Sequence, residues 1–313
     1  MPAESRLKII LVGVGKIARD QHLPTIAVDN RFELVATVGL DEREALRNIP
    51  FYSQMSEAFE CHPNIEAVVL CTPPKSRYAL AVEAITAGKH VFLEKPPAVG
   101  IAQAAAMMQL ARECNVTLFT AWHSQFAAGV EPAGQWLADQ AVISVKISWK
   151  EDVRRWHPGQ DWIFEPGGMG VFDPAINAFS IATAILPQSF SFTDGTMNFP
   201  SNRKAPISAR LRYADSFGAP VDVELDFLQQ GDEQWTIDVL TPQDSLCLSR
   251  GGELLSINGR VQHVEPQSEY AAMYDRFIQC VEQGEQHADI QPLVHVADAF
   301  ILSDRQIVEA FHW

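Results

Sequence analysis

Lys8-Ile9-Ile10-Leu11-Val12-Gly13-Val14-Gly15-Lys16-Ile17-Ala18 sets an apolar run directly against a glycine-rich turn. The run is apolar at successive positions, as a strand is when both faces of its sheet are covered. Gly13 permits the tight turn out of the strand. Gly15 leaves room for backbone to approach a pyrophosphate, and Ala18 allows close packing of helix on strand. The helix start that follows offers amide donors and the positive end of a dipole to an anion. Strand, G-x-G-x-x-A and helix in this order form the context in which the pattern signifies a dinucleotide site rather than a bare turn.

The same grammar continues to about Ser124. Apolar runs at Ile9–Val12, Leu34–Val38, Ala67–Cys71, Val91–Leu93 and Thr117–Thr120 alternate with helix-length stretches such as Arg77–Ala87 and Ala102–Cys114. Strands alternating with helices indicate parallel βαβ units. Beyond Ser124 the pattern changes. Val142–Trp149 alternates, with Val145, Ile147 and Trp149 on one face. Ser208–Tyr213, Val221–Phe227, Trp235–Leu240 and Ser245–Leu248 read as strands, and Gly251-Gly252 and Asn258-Gly259 as hairpin turns. Glu269–Glu282 and Val294–Phe311 read as closing helices, the first with Tyr270, Met273, Phe277 and Val281 at helical spacing. The expected fold is α/β in two domains. Residues 1–123 form an N-terminal Rossmann doubly wound parallel sheet that binds a dinucleotide. Residues 124–313 form an α+β domain with a mostly antiparallel sheet, for substrate binding and oligomerisation.

Composition narrows the function class. The 313 residues are 47% apolar and 20% charged, an ordinary globular balance long enough for two cores. The net charge of −15 argues against nucleic acid or an anionic membrane as partner, since both need a basic surface. Cys61, Cys71, Cys114, Cys247 and Cys280 are isolated, so neither a disulfide framework nor a metal site is expected. Met1 to Lys8 has no apolar core of a secretory signal, and no apolar run reaches the ~18 residues of a membrane helix. The expectation is a cytoplasmic protein.

The second strand should end in the residue that reads the adenosine ribose. Its tip is Gly39-Leu40, followed by Asp41-Glu42-Arg43. Asp41 could accept from a ribose hydroxyl and Arg43 could meet a 2′-phosphate, or both are solvated loop charges, so NAD and NADP both stand. Cys71-Thr72-Pro73-Pro74 follows the third long strand; Thr72 and Pro73 could pack on a cofactor ribose, which is compatible with a proline-stiffened turn. The candidate cofactor set is Gly13, Gly15, Lys16, Ile17, Gly39, Asp41, Thr72, Pro73, Glu94 and Lys95.

Glu94-Lys95-Pro96-Pro97 places a lysine at the carboxyl end of the strand His90–Leu93, where open α/β sheets bind ligands. A lysine near a cationic ring and apolar walls has a depressed pKa and can pass on the proton of a bound hydroxyl. Pro96 is a candidate cis-proline. The alternative is a surface lysine paired to Glu94. Farther on, Gly167-Gly168-Met169-Gly170-Val171-Phe172-Asp173-Pro174-Ala175-Ile176-Asn177 carries a glycine-rich loop into a helix. Pro174 suits the first turn, and Asp173 and Asn177 share a helix face. An N-cap role would explain Asp173 but not the amide on the same face. Carboxylate and amide together suit adjacent sugar hydroxyls.

These three signals together resemble the glucose–fructose oxidoreductase/inositol dehydrogenase/MocA (Gfo/Idh/MocA) family over essentially the whole chain. Most members carry His where this chain has Asn177. Thr72-Pro73-Pro74, Glu94 to Pro97, Trp122-His123-Ser124 and Gly170 to Asn177 further resemble the bacterial D-galactose/L-arabinose 1-dehydrogenase branch. That resemblance implies oxidation of an aldopyranose at C1 to the aldonolactone with NAD or NADP. Carried over, Lys95, Asp173 and Asn177 become the catalytic trio. Asp173 acts as base and titrates as a unit with Lys95. Lys95 holds the C1 hydroxyl and Asn177 orients the sugar. His123, Trp156 and Trp235 join Asp173 and Asn177 as substrate contacts, with Trp149 structural and Trp156 the better stacking candidate. Another polyol or dihydrodiol dehydrogenase of the family, or a catalytically silent dinucleotide-binding regulator, are the alternatives. A regulator would be expected to lose Lys95 or Asp173. The resemblance also implies a homodimer or higher homo-oligomer through the exposed sheet face.

Overall fold

The computed structural model describes residues 6–313, which divide into two compact units. The first comprises 6–121 and Tyr270–Ile290, the second Trp122–Glu269 and Gln291–Trp313.

In the first unit the strands are β1 (Leu7–Val12), β2 (Phe32–Val38), β3 (Phe51–Tyr52), β4 (Ala67–Leu70), β5 (His90–Glu94) and β6 (Leu118–Ala121). Helices α1 (Leu23–Val28), α2 (Met55–Cys61), α3 (Pro74–Thr86) and α4 (Ile101–Glu113) lie between them in sequence. All neighbouring strands are parallel, in the order β3-β2-β1-β4-β5-β6. This is the doubly wound order, and its switch point falls between β1 and β4. Every residue of β4 and β6 is buried, which is why these strands read as unbroken apolar runs. Between the glycine turn and α1 lies a π-helical turn, Ala18–His22, with His22 fully buried.

The second unit opens with α5 (Val130–Leu137), β7 (Ser144–Lys150), α6 (Val153–Trp156) and α7 (Phe172–Ile185). Strands β8 (Phe190–Pro200), β9 (Ser208–Asp215), β10 (Pro220–Asp226), β11 (Gln234–Leu240), β12 (Ser245–Ser249), β13 (Leu254–Ile257) and β14 (Arg260–Val261) follow. In sequence the long helix α8 (Glu269–Gln283) comes next, all but its first residue part of the first unit, then α9 (Gln291–Leu302) and β15 (Asp304–Val308) of the second. The sheet runs β14-β13-β12-β11-β7-β10-β9-β8-β15, antiparallel except for the β7–β10 and β8–β15 pairs. One face is apolar, with Val145, Ile147 and Trp149 of β7 buried, and α7 packs on it beside α5 and α9. The other face carries ion pairs such as Arg212–Asp222 (3.0 Å) and Lys150–Glu224 (2.6 Å).

Three features depart from the reading of the sequence. Residues 270–290, expected in the C-terminal domain, belong to the first unit. Tyr274 stacks on Phe92 of β5 at 4.9 Å, and Phe277 meets the same ring edge-on at 5.3 Å. Past α8 the chain lies along β6: Thr120 N donates to His287 O (2.7 Å) and His287 N to Leu118 O (3.0 Å). The apolar spacing of α8 marks a buried face but not the sheet that buries it. The chain passes between units at Ala121/Trp122 rather than after residue 123. Finally, the helix expected over Val294–Phe311 stops at Leu302, because Asp304–Val308 pairs in parallel with β8 at the sheet edge.

Candidate active site

The carboxyl ends of β1, β2 and β4 open onto a cleft of about 620 Å3 in the first unit. Gly13, Gly15, Gly39, Thr72 and Pro73 line it. Gly13 has φ +88°, and a Cβ there would come within 2.9 Å of Thr72 Cγ2. A Cβ at Gly15 would meet nothing within 4 Å, so its backbone faces open space. Thr72 Oγ1 is buried without a hydrogen-bond partner among the described residues. A glycine turn that keeps its backbone bare, and a hydroxyl awaiting a partner, fit a dinucleotide: Gly13 and Gly15 would take the pyrophosphate, Thr72 a ribose.

Other expected cofactor residues point elsewhere. Lys16 pairs with Asp20 and Ile17 is partly exposed outside the cleft lining. Asp41 caps the short turn Glu42–Glu44 and binds the Arg43 guanidinium, so the two charges answer each other. The cleft also takes Glu44, Ser53, Gln54, Met55, Ser76 and Leu80. Glu44, Ser53 and Gln54 come from connections and Met55, Ser76 and Leu80 from α2 and α3, none with motif character, and a reading of the sequence does not single them out.

Glu94 was expected at the cofactor, but its carboxylate turns inward. It is 3% exposed and lies 3.0 Å from His22 Nε2. It accepts from Tyr270 Oη (2.8 Å) and from the backbone N of Lys95 (2.9 Å). His22 Nδ1 in turn sits 2.8 Å from Tyr274 Oη. Beside this network the buried Arg77 guanidinium donates to the carbonyls of Thr72 (2.7 Å), Glu94 (2.6 Å) and Pro96. One cation thus ties the Thr72 loop to the strand end that carries Lys95, and the Lys95–Pro96 bond is cis. Neither His22 nor Arg77 has a sequence signature; both look like ordinary helix residues.

In the second unit the glycine loop earns its composition by close backbone approach. Gly170 has φ +54°, and a Cβ there would fall 2.2 Å from Pro206 O. Gly170 N bonds Ile163 O (2.8 Å) and Val171 N bonds Pro206 O (2.8 Å), which fixes where α7 begins. Val171, not Asp173, is the N-cap, so Asp173 lies inside the first turn. Asp173 is 7% and Asn177 9% exposed. Asn177 Oδ1 has no partner among the described residues.

Around this helix start the structure gathers groups that the sequence scatters. His157 Nε2 stands 3.9 Å from Asp173 Oδ2 and 3.7 Å from Glu151 Oε1. Trp235 Nε1 donates to Glu151 Oε2 (3.1 Å), and Trp156 tilts against Trp235 at 5.3 Å between centroids. Trp156 Nε1 donates to Glu233 (3.2 Å), which also pairs with Arg155. His123 follows β6 in a 3-10 turn, with Nδ1 2.5 Å from Glu269 Oε2. An imidazole flanked by two carboxylates can move protons, the free amide oxygen can accept from a hydroxyl, and the indoles offer apolar faces. His157 had no assigned role in the sequence, where it stands only as the end of a polar stretch.

Comparison with known proteins shows the family. Residues 7–122 match the Gfo/Idh/MocA profile, described as an oxidoreductase family with an NAD-binding Rossmann fold. The chain is 40% identical to galactose 1-dehydrogenase of Pseudomonas fluorescens, over 98% of this chain and 99% of that one. The crystal structure of D-galactose-1-dehydrogenase from Rhizobium etli is 46% identical, covers 100% of both chains and superposes with a TM-score of 0.95. A 3-ketoreductase of Actinomadura kijaniata, solved with NADP, shares the fold at 16% identity (TM-score 0.83, 97% of this chain and 100% of that one). The chain belongs to the Gfo/Idh/MocA family of oxidoreductases.

Proposed function

We propose that this enzyme oxidises an aldopyranose of the D-galactose/L-arabinose type at C1 to the aldonolactone, with NAD or NADP as acceptor. The observation that carries this reading is the buried set at the start of α7. Asp173 and Asn177 share one face, the Asn177 amide oxygen is unbonded, and His157 stands 3.9 Å from Asp173 and 3.7 Å from Glu151. Such a set can accept from several hydroxyls of one ring. The two near-full-length relatives, both named as galactose 1-dehydrogenases, support the same substrate class.

In this reading the C1–H bond breaks with its electron pair leaving as hydride, and the C1 hydroxyl gives up its proton as the carbonyl of the lactone forms. The nicotinamide supplies the hydride acceptor. Asp173 serves as base, Lys95 holds the C1 hydroxyl and passes charge, and Asn177 orients the ring. His123, Trp156 and Trp235 contact the sugar. The first unit carries the dinucleotide and the second the sugar. The open polar face of the nine-stranded sheet supports a homodimer or higher homo-oligomer. No helix among the described residues is long and apolar enough to cross a membrane. The five free cysteines support a reducing, cytoplasmic setting.

Absorbance at 340 nm with a panel of aldoses and polyols, each with NAD and NADP, tests the proposal. Reduction with galactose or arabinose but not inositol is expected. Turnover of inositol alone, or of no aldose, overturns it.

A further inference from the structure

The tip of β2 lacks the acid that would read an adenosine ribose, since Gly39 and Leu40 stand there and Leu40 is fully exposed. The space at that tip is nevertheless not empty. A Cβ built on Gly39 would fall 2.3 Å from Glu44 Oε2 and 3.1 Å from the Phe51 ring. The Glu44 carboxylate therefore occupies the room that any side chain at position 39 would need. Glycine at the strand tip and glutamate five positions on are complementary.

Glu44 is delivered there by a turn that is held at three points. Asp41 caps it through the Arg43 amide (2.9 Å), Glu44 N bonds Asp41 O (2.8 Å), and Arg19 Nη2 donates to the Glu44 carbonyl (3.0 Å). Glu44 lines the same cleft as Gly13, Gly15 and Thr72. The cation best suited to a phosphate nearby, Arg43, is bound by Asp41 and extends into solvent, its side chain 90% exposed.

We infer that Glu44 reads the adenosine ribose diol and so selects NAD over NADP. The inference rests on the dinucleotide reading of the cleft. A carboxylate accepts hydrogen bonds from two adjacent hydroxyls, whereas a 2′-phosphate would bring like charge against it and remove one donor. Position 44 takes over the task that the strand tip gives up.

Fluorescence titration of the full chain with NADH and NADPH tests this without turnover. NADH should bind at least about tenfold more tightly than NADPH, the range of one charged hydrogen bond. Glu44→Gln should weaken NADH by about tenfold and leave NADPH within about twofold. Glu42→Gln, in the same turn but outside the cleft lining, should leave the ratio of the two unchanged. Equal binding of both cofactors by the unaltered chain overturns the assignment, as does an unchanged ratio in Glu44→Gln or an equal shift in Glu42→Gln. In each of those cases the dinucleotide reading of the cleft stands. Binding of neither dinucleotide overturns both.

Discussion

The imidazole of His157 lies 3.9 Å from the carboxylate of Asp173 inside the second unit. Asn177 stands where the family resemblance leads one to expect histidine. A histidine from the α6 region therefore faces the same carboxylate from outside the helix. His157→Asn should lower kcat by about a hundredfold, the reach of one general acid–base group, with NADH binding unchanged. A variant that keeps most of its activity would confine His157 to packing against Phe227.

Asp173→Asn keeps the shape of the side chain and removes its basicity. Turnover should fall by roughly two to four orders of magnitude. Fluorescence titration should show NADH binding unchanged in the variant, so that the loss lies in the chemical step. A kcat within about tenfold of the unaltered chain would move the role of base to another residue.

Lys95→Ala should reduce turnover by about a thousandfold or more while the dinucleotide still binds, because the side chain is not among those lining the glycine cleft. Titration with NADH beside a kinetic assay separates the two effects. Loss of binding together with turnover would show that Lys95 acts through the cofactor site.

Glu94 anchors the far side of the same strand end. Glu94→Ala strips buried partners from His22, Tyr270 and the Lys95 amide at once. Removing one member of such a buried charged network costs about 3–5 kcal/mol. Urea unfolding should show that loss, with a smaller one in Glu94→Gln, which retains an acceptor. A change below about 1 kcal/mol in Glu94→Ala would mean that the network is not holding the fold.

Acid should destabilise the protein through buried histidines. Burial lowers the His295 pKa from 6.5 to about 4, and its ring stacks on Phe190 at 4.1 Å. The unfolded chain takes up this proton below about pH 6.5, while the folded chain refuses it until about pH 4. Stability is thus fully present above that window and falls as pH drops through it. At pH 4.5 the loss is on the order of 2 kcal/mol for this one group. His287, lowered to about 4 mainly by burial, adds to it in the first unit. Unfolding free energies at pH 7 and 4.5 should differ less in His295→Phe than in the unaltered chain, whatever the baseline cost of the substitution.

The parallel sheet was legible because its strands are apolar on both faces and its glycine turn has a strict spacing. The start of α7 was legible for the same kind of reason: Gly170, Asp173 and Asn177 lie within one short stretch. What escaped were relations between distant positions. Glu44 reaches the strand tip from a charged turn of no special composition, and Arg77 serves three carbonyls from inside a helix that reads only as amphipathic. His157 meets Asp173 across the gap between α6 and α7. Glu94, adjacent to Lys95 in the motif, reads as a cofactor residue because sequence adjacency does not say which way a strand's last side chain points. Strand β8 escaped for its polar, glycine-containing alternation, as did the edge pairing of β15, which depends on β8.

The return of residues 270–290 to the first unit has a consequence for synthesis. Growing chains fold domain by domain from the amino end. Here the emerging nucleotide-binding half must wait with Phe92 and Phe119 uncovered and the edge of β6 unpaired until residues 270–290 have left the ribosome. The second unit's sheet, from β7 to β14, is made during that wait. Its core strands are available to assemble before the half that precedes them can close.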